Sequence, residues 1–323
     1  MDAARHVSVG RLRRLREELI EEQLGVVETA ENPDLLIEEI DYALRPPRHE
    51  RRVPTYGAIV TPTEPTHRWH VSTGLELTIN PTATRADEEV RRYADGEVSW
   101  AVRDRDGVSA LAVFDRSAAS ERDVVIVSEA SGGTVVQRRA DGIRLAGSFG
   151  VARWDGSGWH LEPPIGRWMS DAGHILLAGG SPHQREVLDQ LLQFAVHDLG
   201  ASGIGALLVL GVGEDPPIEE RLPSPPPLAL LQPAALGPLR HVLAQTDGAA
   251  IFDVGGILRH LGARLVPSLR AEGTTPAFGG TRHTSARRFS FDQPDAVVVA
   301  VSDDGPVTVF CGGEMVGRSP NDT

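Results

Sequence analysis

Hydroxyl, guanidinium and imidazole side chains stand in consecutive positions in the segment Gly279-Gly280-Thr281-Arg282-His283-Thr284-Ser285-Ala286. A carboxylate stands beside a glycine, ahead of an apolar run, in Thr246-Asp247-Gly248-Ala249-Ala250-Ile251-Phe252. These are groups that hold phosphates and hard metal ions. A guanidinium fork takes two phosphate oxygens at once, a threonine hydroxyl and the N–H groups after a glycine take others, and a carboxylate such as Asp247 holds a divalent cation. Arg287 and Arg288 extend the basic cluster in a chain whose net charge is -13. Each segment has a plainer reading alone, since Asp-Gly before a strand is usually a turn and a basic run is usually a solvated helix face. Their joint presence points to a ligand.

Periodicity and punctuation show which elements would position these groups. Ser181-Pro182-His183-Gln184 reads as a capping box, followed by a helix whose apolar stripe is Val187, Leu188, Leu191, Leu192, Ala195 and Leu199, with Gly200 as its stop. The apolar run Ile204–Leu210 reads as a buried strand, and a proline-rich connection, Pro216–Pro227, leads to a helix over Pro233–Gln245 that ends just before Asp247. Strands are expected at Ala249–Phe252, Ile257–Leu265, Ala296–Val301 and Val307–Cys311, with a short helix in the Gly279–Ala286 segment. The expected fold of this half is α/β, a central mixed sheet flanked by helices. Its motifs lie where strands meet loops, the usual place for ligands in open sheets.

The first half reads as α+β. Helices are expected at Leu12–Leu24 and Pro33–Leu44, and strands at Tyr56–Val60, Leu75–Ile79, Val98–Arg103, Ala110–Phe114, Asp123–Ser128, Thr134–Arg138 and Ile143–Leu145. Turn signals such as Asp106-Gly107, Gly132-Gly133 and Asp141-Gly142 favour hairpins and a mostly antiparallel sheet. Glu162-Pro163-Pro164 marks a boundary, so the expected domains are 1–160 and 165–323. No catalytic constellation stands out before it, and His67 and His70, three apart in an irregular segment, read as a surface coincidence.

Composition removes several mechanisms. The 323 residues are 41% hydrophobic and 24% charged, as in globular domains, and the acidic balance argues against extensive binding to nucleic acid or anionic membrane. All 32 basic residues counted as Lys or Arg are Arg. A P-loop, a Schiff-base enzyme and a protein kinase each require a lysine, so none can be built from this chain. No Gly-x-Ser-x-Gly elbow is present, and Gly211-Val212-Gly213 runs into acids and prolines where a dinucleotide-binding helix would begin. The lone Cys311, and the lack of an apolar leader or an apolar stretch of about 18 residues, make a cytoplasmic location the expectation.

The second half resembles the diadenylate cyclase (DAC) domain family. The family's Asp-Gly-Ala motif stands as Asp247-Gly248-Ala249, and its Gly-Thr-Arg-His-Arg-x-Ala motif as Gly280-Thr281-Arg282-His283-Thr284-Ser285-Ala286. Further similarities are Gly205-Ala206-Leu207-Leu208-Val209, the Leu265-Val266-Pro267 turn and Val301-Ser302-Asp303-Asp304-Gly305. The resemblance implies an enzyme that condenses two ATP into cyclic di-AMP and two pyrophosphates, with Mg²⁺ or Mn²⁺ as cofactor. Asp247 would be the metal ligand; Asp247, Arg282 and His283 the catalytic residues; and Gly248, Ala249, Leu265, Gly280, Thr281, Ser302, Asp303 and Asp304 the substrate contacts. It also implies partners: ATP, and a second copy of the chain whose site faces the first, in at least a dimer. Residues 1–160 would be a regulatory, sensor-like domain. Thr284 stands where the family has its second Arg, which leaves open an active cyclase or a nucleotide-binding module with weak or no turnover, in which Arg287 or Arg288 is the compensating guanidinium to consider.

Overall fold

The computed structural model describes residues 9–47, 53–62, 69, 76–81, 87–104, 109–170, 180–212, 216–219, 222–303 and 306–320. His67, His70, Leu75, Asp106, Gly107, Gly213, Asp304 and Gly305 lie outside them. The chain divides into two units, Met1–Pro164 and Ile165–Thr323, each with its own core.

In the first unit, helices α1 (Val9–Glu21), α2 (Val26–Thr29), α3 (Pro33–Leu44), α4 (Asp87–Tyr93) and α5 (Glu121–Ser131) accompany strands β1 (Tyr56–Val60), β2 (Leu77–Pro81), β3 (Ser99–Arg103), β4 (Ser109–Phe114), β5 (Thr134–Arg139), β6 (Gly142–Gly147), β7 (Gly150–Trp154) and β8 (Trp159–Glu162). They form an eight-stranded sheet in the order β2-β4-β3-β1-β5-β6-β7-β8, antiparallel except for β1 and β3. Asn32 caps α3 through a bond from the Leu35 amide at 3.3 Å, and Pro33 takes the first turn, where its missing N–H costs nothing.

The segment Asp123–Ser128, expected as a strand from its β-branched run, lies instead within α5. Ser120 caps that helix by accepting from the Asp123 amide at 3.1 Å, and Gly132 closes it in the left-handed conformation at φ 62°. Buried Glu121 then holds Arg153 at 2.7 and 2.6 Å, tying the helix to β7. A second buried carboxylate, Glu39 of α3, gathers the Tyr56 hydroxyl, Arg91 at 2.7 and 3.0 Å and Arg103 at 2.7 Å.

In the second unit, helices α6 (Ile165–Trp168), α7 (Pro182–Gln193), α8 (Pro233–Leu243), α9 (Leu269–Thr274) and α10 (Thr281–Asp292) surround strands β9 (Ala206–Leu210), β10 (Ile218–Glu219), β11 (Ala249–Phe252), β12 (Leu258–Leu265), β13 (Val297–Val301), β14 (Val307–Cys311) and β15 (Glu314–Arg318). The seven-stranded sheet runs β10-β12-β11-β9-β13-β14-β15, with β9 and β11 parallel and the other pairs antiparallel. This is an α/β unit with a mixed sheet. The capping box at Ser181 and Gln184 is formed. Gly200 is not the stop: α7 passes into a π-helix over Phe194–Leu199 and a 3₁₀ turn, and the left-handed residue is Gly203 at φ 64°.

Side chains alternate along each central strand, so the sheet separates two cores. Leu208, Leu210, Ala250, Phe252, Val297, Val299 and Val301 face the layer of α7 and α8 through Leu191, Leu236 and Leu239. Leu207, Val209, Ala249, Ile251, Val298 and Ala300 face α10 through Ala286 and Phe289. α10 thereby lies over the strands whose ends carry the motifs.

Candidate functional site

Strand register brings the motifs to one rim of the second sheet. Ala249 pairs with Leu207 and Ala263, and Val301 pairs with Ala206 and Val307. Asp247 and Gly248 therefore precede β11 at the rim where β9 begins and where β12 and β13 end. Open parallel sheets ordinarily take ligands outside the carboxyl ends of their strands. Here the parallel pair offers its amino ends, because helix α10, whose start supplies the dipole, begins over that rim.

A cleft of about 990 Å³ opens there. Asp247, Gly248, Leu265, Gly280, Thr281, Arg282, His283, Ser302 and Asp303 all line it. Ala249 does not: its methyl is wholly buried in the core beneath α10, so it is framework rather than contact. Residues the motifs did not single out complete the walls, above all Arg264 on β12, Arg318 on β15, Glu272 and Phe278. Arg264 adjoins Leu265 with no motif to mark it, and Arg318 belongs to a strand not foreseen. Four guanidinium groups, on Arg264, Arg282, Arg288 and Arg318, face three carboxylates, on Asp247, Glu272 and Asp303.

Gly248 is required by geometry. Its φ is 101°, and a Cβ there would lie 2.6 Å from the Gly262 carbonyl carbon. The bare backbone lets the Asp247 turn lie against the β12 bulge at Gly262, itself at φ 66°. Asp247 is exposed at the mouth and has no hydrogen-bond or ion-pair partner among the described residues.

α10 starts at Gly280, which supplies no side-chain cap, and the first helical bond is Thr284 N–H to the Gly280 carbonyl at 3.1 Å. The N–H groups of Thr281, Arg282 and His283 thus have no intrahelical acceptor, the arrangement that suits an anion at a helix start. Arg282 Nη1 donates to the Val301 carbonyl at 3.1 Å and lies 3.8 Å from Asp303, an exposed pairing worth little by itself. His283 packs against Phe278 and Phe310, with ring centroids at 6.2 and 6.4 Å. Burial, then the charges of Arg318 and Arg282, hold its pKa below the usual imidazole value and so favour the neutral ring.

Thr284 binds the wall of the cleft. Its hydroxyl accepts from the Phe278 N–H at 3.1 Å and donates to the Phe278 carbonyl at 3.2 Å. Arg287 does not line the cleft, and its Nε donates to the Gly313 carbonyl at 2.9 Å. Arg288, one turn beyond Thr284, does line it; its Nε donates to the Thr275 carbonyl at 3.3 Å, and its terminal nitrogens have no hydrogen-bond partner among the described residues.

The second unit is thus an α/β domain with a mixed sheet that gathers guanidinium groups and an uncapped helix start at one rim. Residues 193–315 match the family described as "DisA bacterial checkpoint controller nucleotide-binding", DAC, and residues 13–162 match "Probable sensor domain DACNK". The chain thus carries a DACNK-family domain followed by a DAC-family domain. Among solved structures it is similar to a hypothetical membrane spanning protein from Bacillus cereus, at 21% identity and TM-score 0.33, over 41% of this chain and 63% of that one. It is also similar to a double mutant of DacA from Staphylococcus aureus, at 21% identity and TM-score 0.30, over 44% of this chain and 91% of that one. The chain therefore spans less than two thirds of the Bacillus protein's length. No curated protein sequence matches it. No helix among the described residues is long and apolar enough to cross a membrane.

Proposed function

We propose that the second unit is a diadenylate cyclase domain that binds ATP in the 990 Å³ cleft and, facing a second copy, joins two ATP into cyclic di-AMP. The observation that carries this reading is the convergence of Asp247, Arg282 and the start of α10 on one cleft. In each half-reaction the 3′-oxygen of one ATP bonds to the α-phosphorus of the other. The bond from that phosphorus to the bridging oxygen breaks, pyrophosphate leaves, and the hydroxyl proton is released. Two such steps close the ring and release two pyrophosphates. Catalysis of this kind rests on positioning and charge neutralisation.

The uncapped amides of Thr281, Arg282 and His283 would receive phosphate oxygens, with the Arg282 guanidinium as the strongest single contact. Arg288 would supply the guanidinium that Thr284 does not, since it reaches the same cleft from the same helix face. Leu265 would pack against the adenine, and Ser302 and Asp303 would contact ribose or metal at the β13 end. Asp304 keeps the same proposed role from the sequence. No group of three metal-ligating side chains occurs among the described residues, so a resident cage is not the fit. A lone exposed carboxylate sharing a divalent ion with phosphates is the usual Mg²⁺ arrangement, and Asp247 would hold Mg²⁺ or Mn²⁺ in this way. When bound, such an ion lowers the pKa of a coordinated oxygen and neutralises phosphate charge.

A face-to-face pair is part of the proposal because each cleft holds one nucleotide and the ring needs two. The DACNK-family unit would regulate output by permitting or blocking that meeting.

Thr284 supports a second reading, a nucleotide sensor without turnover, because its hydroxyl is committed to the Phe278 backbone. Incubating the protein with ATP and Mg²⁺ or Mn²⁺, and separating products by mass, decides between them. Cyclic di-AMP from the parent and none from Asp247→Asn is the expected result; ATP binding without any product supports the sensor.

A further inference from the structure

Gly205 stands immediately before β9, at the same rim as the cleft. Its backbone is not in the positive-φ region, so its conformation does not itself require glycine. Space does. A Cβ at this position would lie 2.5 Å from Nη1 of Arg282 and 2.9 Å from both its Cζ and Nη2, the three nearest atoms. The guanidinium lies against bare backbone at 205, and on the neighbouring strand end it donates to the Val301 carbonyl at 3.1 Å.

Two glycines of the first unit are confined by backbone instead: a Cβ at Gly133 would meet the Val60 carbonyl oxygen at 2.2 Å, and one at Gly142 the Trp154 carbonyl oxygen at 2.1 Å. A substitution there must move the fold. At 205 the obstacle is the tip of a long, flexible side chain, so an added methyl displaces the cation and leaves the strand in place.

We infer that Gly205 is a positioning residue: the absent Cβ is the seat of the Arg282 guanidinium and sets where that charge stands in the cleft. The inference rests on the proposed role of Arg282 toward nucleotide phosphates. A methyl at 205 would push the guanidinium off its seat by roughly 1 Å, a displacement large enough to cost about 100-fold where catalysis depends on alignment.

The test uses the full chain in four forms, the parent, Gly205→Ala, Arg282→Ala and the double variant, with ATP affinity measured by calorimetry and folding by thermal melting. Gly205→Ala is expected to weaken ATP binding about tenfold or more, the scale of a charge-assisted contact. Its melting temperature should stay within about 2 °C of the parent, well under the shift of a destabilising core change. Once Arg282 is gone the methyl has nothing to displace, so the double variant should bind no more weakly than Arg282→Ala. Additive losses would mean a general distortion of the strand and overturn the inference, as would a Gly205→Ala protein that binds like the parent while Arg282→Ala does not; the proposed function survives both outcomes. An Arg282→Ala protein that binds ATP as tightly as the parent would overturn both the assignment of Arg282 to phosphate and the inference.

Discussion

Arg282 and His283 are neighbours with different electrostatic duties, one a guanidinium and the other an imidazole whose neutral form is favoured. Burial and the two guanidinium groups near His283 lower its pKa, so the unfolded chain takes up a proton at that residue more readily than the folded one. Its contribution to stability is present above the ordinary imidazole range and is lost as pH falls through that range toward the depressed value. Replacing it by Gln should flatten that part of a melting-temperature profile against pH. Bound triphosphate would oppose the two arginines and raise the imidazole pKa, so ATP affinity should increase as pH drops below neutral. Calorimetry in buffers of differing ionisation enthalpy would detect the proton uptake, and its absence would separate His283 from the phosphates. Asp247→Asn should leave melting unchanged, since the carboxylate has no partner among the described residues, and should reduce product at least about 100-fold. Arg288→Gln should weaken ATP binding while Arg287→Gln should not, because only Arg288 reaches the cleft. At this scale the sequence was informative where chemistry is concentrated, in Asp247-Gly248 and Gly280–His283. It was silent on Arg264 and Arg318, which no motif marks and which reach the cleft only through strand pairing.

Among the elements, those with local punctuation were legible. The Ser181 capping box has its donor and acceptor within four residues, and Ser181→Ala should cost about 1 kcal/mol in denaturant unfolding. α5 was not legible as a helix, because Val124 to Val127 carries strong β propensity; the Ser120 cap and the distant partner of Glu121 decide the matter. Gly200 looked like a helix stop, but burial of Phe194 to Leu199 carries the chain through a π turn to Gly203. Glu39 illustrates the same limit. It accepts from Tyr56, Arg91 and Arg103 while fully buried, a meeting of α3, α4, β1 and β3 that no local pattern announces. Removing it would take the fully buried carboxylate away from Arg103, which is buried, and from Arg91, which is nearly so. Glu39→Ala should therefore destabilise the first unit by about 3 to 5 kcal/mol, measured by chemical denaturation, whereas a change within about 1 kcal/mol would show the network to be dispensable.

For the molecule as a whole, the proposed chemistry makes self-association measurable. Specific activity should fall on dilution, as facing copies separate, and a rate per chain independent of concentration across the dissociation range would remove the facing pair from the mechanism. The second unit has its own two-faced core, so residues 165–323 alone should bind ATP; equal output from that piece and the full chain under every condition would argue against regulation by the DACNK-family unit.

The rim of the second sheet has one more effect. Ala206, Ala249 and Val301 are bonded in the ladder within a residue or two of positions that line the cleft, so the same backbone serves as masonry and as doorway. A guest at that doorway braces the ends of β9, β11 and β13 against fraying. Amide protons there should exchange with solvent more slowly when the cleft is filled, turning the sheet margin into a gauge of occupancy that needs no turnover to read.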